Sequence, residues 1–285
     1  MALEFEQRFP EDLPSSLPVY RLQQAPAFPA ATETLARFAR QVGLEGRAQE
    51  TSFADDWTTH QEGPYDLSIH GRSGAVTYRH REKYQKQGER PFDPGSHDAE
   101  AIAGRFLDTT GMIPSDEARM LRVTHLRTAG GNQEDERGEE TLLDAGVVYG
   151  RFVQETPVHG PGGLAMVNID PDAEVVGFRT VWRPLGQAME DAEIRPPDNA
   201  YRALERIAER VRGDVTVTKA TFGYFEQGIL DRQEFLQPAY CLVYVVRDGE
   251  VAYKSAEVTA AAGRAIEPLL GAKRFPTPPQ PPRKR

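Results

Sequence analysis

The sequence lacks the features of a disulfide-bonded or membrane-spanning chain. It contains one cysteine, Cys241, so no disulfide bond can form within it. No apolar run approaches the roughly 20 residues that a membrane-spanning helix needs. Residues 1–12 have neither the basic start nor the apolar stretch of a signal peptide. We therefore expect a cytoplasmic chain, or one from which an upstream export signal or anchor has been removed.

Positive charge is also scarce. The chain has 34 Lys and Arg residues against 43 Asp and Glu residues, which gives a formal net charge of −9. Nucleic acids are bound through clustered cations on the protein surface, so this balance argues against a nucleic-acid partner. A cationic or neutral partner fits better. The hydrophobic fraction of 39% and the charged fraction of 27% are typical of a globular protein.

Sequence motifs for catalysis and metal binding are missing as well. There is no Gly-x-Ser-x-Gly elbow, and the six histidines form no His-x-x-x-His or His-Glu-x-x-His pattern. Cys241 lies in the apolar run Tyr240–Val246, where a thiol usually behaves as a small hydrophobe. The turn Asp170–Glu174 resembles the start of a calcium loop, but Pro171 favours a solvated turn. We expect no catalytic residue, no metal and no cofactor.

Three segments have the apolar spacing of an amphipathic helix, and each is followed by a glycine of the kind that ends helices. The predicted helices are Thr32–Val42, Asp98–Thr109 and Asn199–Arg212, ended by Gly43, Gly111 and Gly213. Their predicted N-caps are Thr32, Ser96, and either Asp198 or Asn199.

Strand patterns fill much of the remaining chain, and they are densest in Val147–Leu185. Three antiparallel strands are predicted there: Val147–Gln154, Leu164–Ile169 and Val175–Trp182. Tyr65–Ile69 and Val76–His80 read as a hairpin, and Asp248-Gly249 marks another. Further predicted strands are Val19–Leu22, Met120–Leu126, Val215–Phe225, Ala239–Val246 and Val251–Tyr253.

One helix followed by antiparallel strands thus occurs three times. This order predicts an α+β fold of repeated units, each a helix packed on an antiparallel sheet. The expected domains are residues 1–92, 93–195 and 196–274, followed by a proline-rich basic tail at 275–285. Gln85–Ser96 is expected to be a linker and Gly130–Glu140 an acidic loop.

The segment Thr156-Pro157-Val158-His159-Gly160, placed between an aromatic strand and an apolar strand, resembles the turn of PepSY and FTP modules. Pro157, Val158 and Gly160 match the signature of that turn. Such modules occur in the pro-regions of secreted metalloproteases and in bacterial envelope proteins. The resemblance implies a cystatin-like fold, an extracytoplasmic bacterial protein, and a binding or inhibitory role with no catalytic residues. A protease or a membrane sensor kinase is the kind of partner that it implies.

These observations predict a non-catalytic binding or regulatory protein that holds a peptide or protein partner at a sheet edge or an aromatic face. The alternative is an enzyme with a polar pocket between helix and sheet, in which two titratable groups converge. The predicted binding residues are Tyr149, Phe152, Pro157, Val158, His159, Gly160, Phe178 and Trp182.

Overall fold

The computed structural model describes residues 3–26, 29–85, 98–129, 140–263 and 265–269. These residues contain fifteen strands and three short helices, with half of them in strands and 15% in helices. The expected fold of repeated cystatin-like α+β units is therefore wrong. Sheet dominates the architecture because strands such as Glu140–Val153 and Phe235–Asp248 are each 14 residues long. The helices, at 11 or 12 residues, cover only part of such sheets.

All three predicted helices are confirmed, with shifted ends. They are α1 (Ala30–Gln41), α2 (Ala99–Thr110) and α3 (Asp198–Ala208). The N-caps are Pro29, Asp98 and Pro197, so Thr32, Asp198 and Asn199 were wrong as N-caps and lie within helices. Gly111 adopts the left-handed conformation at the end of α2, as expected for a residue that ends a helix. Ser96, most of the expected linker, the acidic loop up to residue 139 and the tail lie outside the described residues.

The strands are β1 (Leu3–Phe5), β2 (Ser16–Leu22), β3 (Glu50–Ala54), β4 (Trp57–Glu62), β5 (Tyr65–His70), β6 (Val76–His80), β7 (Ala118–Ala129), β8 (Glu140–Val153), β9 (Thr156–His159), β10 (Leu164–Ile169), β11 (Val175–Val181), β12 (Leu185–Glu193), β13 (Asp214–Phe225), β14 (Phe235–Asp248) and β15 (Val251–Ala260). Every predicted strand is confirmed, although several are longer than expected. Five strands were not predicted: β1, β3, β4, β9 and β12.

The chain divides into two compact units. The two-helix unit consists of residues 23–184 and 228–232, and the one-helix unit consists of residues 1–22, 185–227 and 233–285. The domain boundaries expected after residues 92, 195 and 274 stay predictions, because a division by contacts does not test which segments fold independently. Each helix that the structure describes is too short or too polar to cross a bilayer.

The two-helix unit contains an antiparallel sheet in the order β7-β8-β10-β11-β6-β5-β4-β3, with β9 paired to the end of β8. Its main core lies between one face of this sheet and the helices α1 and α2. Leu35 and Phe38 of α1 pack there with Leu107 of α2 and with Val147 and Phe178 of the sheet. The register places residues of β8, β10 and β11 opposite one another, so alternate side chains of each strand point into this core.

The one-helix unit is built around β14. This strand pairs with β13 and β15 along most of its length and with β2 at its start, while β2 pairs with β12 and β1 joins β13 in parallel. Leu204 of α3 packs with Val215, Val217 and Leu242 of the sheet in its core. The hairpin predicted at Asp248-Gly249 joins β14 and β15.

Candidate functional site

Four of the eight predicted binding residues are buried. Tyr149, Phe178 and Trp182 belong to the core beneath α1 and α2 and are at most 8% exposed, and Val158 of β9 is 7% exposed. Burial of such aromatic side chains contributes to the stability of the unit. A partner docked on the folded unit would not contact these four side chains, so their main role in this structure is packing.

The other four reach the surface at the end of β8 and along β9. Phe152 is half-buried and pairs in register with Pro157. The Arg119 guanidinium lies over the Phe152 ring, 4.3 Å from its centroid. His159 is half-buried, and Gly160 is exposed with a φ of 109°. The predicted residues therefore do not share one face: alternation along β8 points Tyr149 inward and Phe152 outward.

A buried arginine lies at the end of the core, and the sequence analysis did not single it out. Arg151 of β8 has no exposed surface, and its Nε donates to Glu117 Oε2 at 2.8 Å. Trp182 Nε1 donates to the same oxygen at 3.1 Å, and the Arg151 guanidinium lies 5.3 Å from the centre of the Trp182 ring. Arg151 Nη1 also donates to the backbone oxygen of Arg183 at 2.8 Å. The ion pair with Glu117 and the hydrogen bond to the Arg183 backbone tie three segments of the unit together, which supports a structural role for Arg151.

His60, His70 and His80, on the neighbouring strands β4, β5 and β6, each contact a different partner. His60 Nε2 lies 3.2 Å from Glu62 Oε2, and His70 Nδ1 lies 2.9 Å from Ser73 Oγ. His80 packs edge-on against Tyr65 with ring centroids 4.7 Å apart. Burial lowers the pKa of His70 and so favours its neutral form. Across the described residues, no group of three or more His, Cys, Asp or Glu side chains could hold a metal ion.

The acidic turn after β10 surrounds a lysine. Lys83 Nζ lies 2.6 Å from Glu174 Oε2, 3.1 Å from Asp170 Oδ2 and 3.6 Å from Asp172 Oδ2. The hydrogen bond to Glu174 raises the pKa of Lys83, so the ammonium stays charged at neutral pH. The lysine thus occupies the position between the carboxylates that a cation would take. The predicted absence of calcium at this turn stays a prediction.

The one cysteine is buried in the one-helix unit. Cys241 packs with Phe225, Ala239, Val258 and Leu269. Burial raises its pKa to about 12, which leaves almost no thiolate at neutral pH. Nucleophilic chemistry needs the thiolate and access to solvent, so this environment opposes a catalytic role for Cys241.

The sheet face opposite the two helices carries a polar pair on neighbouring strands. Asn168 Nδ2 donates to Asp144 Oδ2 at 3.3 Å, and both residues are buried. Burial raises the pKa of Asp144, because the charged carboxylate is poorly solvated there. Gly146 and Gly177 flank Asn168 in the register, and a β-carbon on Gly177 would lie 2.4 Å from the Tyr84 ring. Gly177 makes room for the Tyr84 ring, and Gly146 makes room for the Thr124 side chain.

The edge of this sheet at β7 has a distinct charge. Among the described strands, β7 pairs with β8 alone, so its other edge is not used by a strand of the sheet. Ala118–Ala129 contains three arginines, one histidine and no acidic residue, in a chain with a net charge of −9. Met120, Leu121 and Arg122 are exposed on it. A long strand edge with exposed apolar side chains is a template for pairing with another chain.

Two shifts in the pairing with β8 divide β7 and leave one regular segment between them. The register with β8 shifts between Met120 and Arg122 and again between Leu126 and Arg127. Residues Arg122–Leu126 lie between them and pair one by one with Val148–Asp144. Bulges protect natural sheet edges by bending them, so the five regular residues are the segment that another strand can follow. The three arginines within nine positions were visible in the sequence, but the edge position of β7 was not.

Comparisons with known proteins bear on the fold alone. No family model matches the chain, and no curated protein matches it. A structural match is the crystal structure of an uncharacterized protein from Eubacterium rectale, with a TM-score of 0.51 and 11% sequence identity. The match covers 92% of this chain and 89% of the other. The two chains share the fold, and at this identity the likeness says nothing about activity.

Proposed function

We propose that this protein is a non-catalytic binding protein that takes up an extended, acidic peptide segment at the β7 edge of the two-helix unit. The observation that carries this proposal is the edge itself, a 12-residue strand that pairs with β8 alone among the described strands. An added strand gains main-chain hydrogen bonds along such an edge without a specialised side-chain site. This mode fits a chain whose sequence shows no catalytic motif.

The net charge of the whole chain favours a cationic or neutral partner, but the local charge of the β7 edge supports an acidic ligand. Arg122 is exposed in the regular segment, and Arg119 lies just before it, where it pairs with Glu155 at 2.7 Å. A strand laid beside β7 brings acidic side chains within reach of these guanidinium groups. Complementary charge mainly raises the rate of association and the selectivity against cationic segments, and it raises the affinity less. The attraction weakens with added salt, because these groups are exposed.

The length of the regular segment defines the ligand. Arg122–Leu126 is five residues long, which is roughly 17 Å of strand at the usual rise of about 3.3 Å per residue. A peptide of five or six residues fills this length. Its alternate side chains face the helix-covered side and the opposite side of the sheet. We therefore expect a preference for acidic residues alternating with threonine or valine, which favour extended backbone.

The test is fluorescence anisotropy with the full chain and a labelled, end-blocked hexapeptide that alternates threonine and glutamate. The expected result is saturable binding that weakens as salt is added. Arg122→Glu should raise the dissociation constant about tenfold, equivalent to about 1.4 kcal/mol. Arg37→Glu is the matched control, since Arg37 is exposed on α1 and its reversal changes the net charge equally. This control should leave the affinity within twofold.

A second peptide separates strand addition from simple charge attraction. Methylation of every backbone nitrogen removes the hydrogen-bond donors of both peptide edges and keeps every charge. Strand addition requires that the methylated peptide lose most of its binding. Equal binding of both peptides, or equal effects of Arg122→Glu and Arg37→Glu, would overturn the proposal. Turnover of the peptide by the protein would favour the enzyme alternative.

A further inference from the structure

A groove with a volume of about 560 Å³ lies within the one-helix unit, far in sequence from the β7 edge. One wall is the segment 8–15 and the other is the segment 194–197, and Tyr201 of α3 also lines it. We call it the proline groove, because Pro10, Pro14, Pro196 and Pro197 line it.

The lining of the proline groove is held in place by its own contacts. The Phe9 and Tyr201 rings lie 5.4 Å apart between centroids, and Phe9 also packs against Tyr240 at 4.8 Å. Tyr240 donates its hydroxyl to the backbone oxygen of Arg195 at 2.6 Å. The nitrogen of Ile194 donates to the oxygen of Ser15 at 2.9 Å, which ties the two walls together. A groove fixed in this way is formed before a ligand arrives.

The chemistry of the groove suits a proline-rich ligand. Grooves lined by aromatic rings bind polyproline II segments, which lose little conformational entropy because they are extended before binding. Tyr201 is half-buried, so part of its surface faces solvent. The charged side chains at the rim are Arg8, Glu11 and Arg195. Arg8 lies over the Phe5 ring at 5.1 Å and Arg195 pairs with Glu193 at 2.9 Å, whereas Glu11 is exposed at the rim. Glu11 can therefore receive a cation of the ligand.

We propose that the proline groove binds the chain's own proline-rich C-terminal sequence, Pro276–Arg285. This sequence contains five prolines followed by Arg283-Lys284-Arg285. Pro278 and Pro281 are three positions apart, which is one turn of polyproline II and places both on one face. The basic residues that follow complement Glu11.

The chain reaches the groove within a short span of sequence. The nitrogen of Arg195, in the groove wall, donates to the oxygen of Ala261 at 2.9 Å, so the chain passes beside the groove at residue 261. The chain then continues to Leu269, which lines a pocket with Asn199 and Arg202 of α3, the helix whose Tyr201 lines the proline groove. Six residues separate Leu269 from Pro276, and an extended chain of that length spans roughly 20 Å, which is about twice the diameter of a helix. Tethering of this kind gives an effective concentration in the millimolar range, so weak contacts suffice for occupancy.

The test uses the full chain and a fluorescein-labelled peptide with the sequence of residues 274–285. In one variant, Pro278→Ala and Pro281→Ala are combined to weaken the chain's own segment. The labelled peptide should bind this variant at least tenfold more tightly than the unaltered chain, because the groove is then vacant. Adding Glu11→Lys to the variant should weaken the binding at least fivefold, and adding Tyr201→Ala should abolish it. Glu4→Lys, at an exposed position of β1, is the matched control and should have no effect.

Each outcome decides the proposal. Glu11→Lys alters an exposed side chain, so its effect can be read even if Tyr201→Ala does not fold. Equal binding to the unaltered chain and the proline variant would show that the groove is not occupied by its own C-terminal sequence, and would overturn the proposal. No binding to either protein, or binding that Glu11→Lys and Glu4→Lys affect equally, would overturn it too.

Discussion

The guanidinium of Arg151 lies 2.7 Å from the carboxylate of Glu117, and no part of Arg151 is exposed to solvent. A charged group without solvent is tolerated only where other charges and hydrogen bonds replace its hydration. Glu117 supplies the charge, and the backbone oxygen of Arg183 supplies a further acceptor at 2.8 Å. The pair joins the end of β8 to the segment that precedes β7. The Arg151–Glu117 pair therefore fixes the start of β7, the strand whose edge we propose as the binding surface.

Glu117→Gln should destabilise the two-helix unit by about 3–5 kcal/mol, because it leaves the buried Arg151 guanidinium without its counter-charge. Urea unfolding followed by circular dichroism measures this loss. The double variant Glu117→Leu and Arg151→Met removes both charges. The loss of stability in this double variant should be about 2 kcal/mol smaller than the sum of the losses in Glu117→Leu and Arg151→Met measured singly, since the double variant leaves neither partner unpaired. Additive losses would show that the two side chains do not stabilise each other.

Gly160→Val should destabilise the protein by about 1–3 kcal/mol, the usual cost of forcing a residue with a β-carbon into a sparsely populated backbone region. Gly160 has a φ of 109°, outside the range that valine adopts readily. Gly160 is exposed, so the expected loss of stability does not come from steric overlap with a core. Thermal melts provide the measurement. An unchanged melting temperature would mean that the turn after β9 relaxes without cost.

Cys241 should not react with a thiol reagent such as Ellman's reagent at pH 8 while the protein is folded. Burial raises its pKa to about 12, and only the thiolate reacts. Full reaction is expected after unfolding in urea. Cys241→Ser should cost about 1–3 kcal/mol, because it places a hydroxyl in an apolar site. Rapid reaction of the folded protein would contradict the buried position.

Asp144→Asn should change the pH dependence of stability in a defined direction. Burial raises the pKa of Asp144 in the folded state above its unfolded value of about 3.8. A raised pKa means that its contribution to stability is greatest below pH 4 and is lost as the pH rises through the folded pKa. The variant should therefore gain stability relative to the unaltered protein between pH 4 and pH 7. Urea unfolding at several pH values tests this, with the exposed Asp116→Asn as the control that should show no such gain.

The sequence predicted local elements well where hydrophobic periodicity was strong. The apolar stripes of α1, α2 and α3 and the apolar runs of β8, β10, β11 and β14 carry that signal directly. Strand β12 was missed because Leu185–Glu193 is mostly polar and exposed, so no buried face marks it. Strand β9 was missed because it contains Pro157, which counts against a strand assignment.

Long-range pairing explains the error in fold class. The sequence showed one helix before each group of strands. It did not show that β6 pairs with β11, where Arg79 lies opposite Gly177, 98 positions away, and Val76 lies opposite Thr180, 104 positions away. Such pairing merges the expected repeats into longer sheets. Arg151 was recoverable, since Val147, Tyr149, Arg151 and Val153 alternate on one side of β8. A charge in that row points into the core and requires a buried partner.

Hydrogen exchange of the β7 backbone amides, with and without the acidic hexapeptide, tests the proposed strand addition most directly. An added strand forms hydrogen bonds with the β7 amides that do not point toward β8, so these amides should exchange more slowly when the peptide is bound. We expect slower exchange at alternate residues within Arg122–Leu126, with unchanged exchange in β3, the opposite edge of the same sheet. Saturating peptide with no change in β7, or with equal protection of β3 and β7, would contradict binding at this edge.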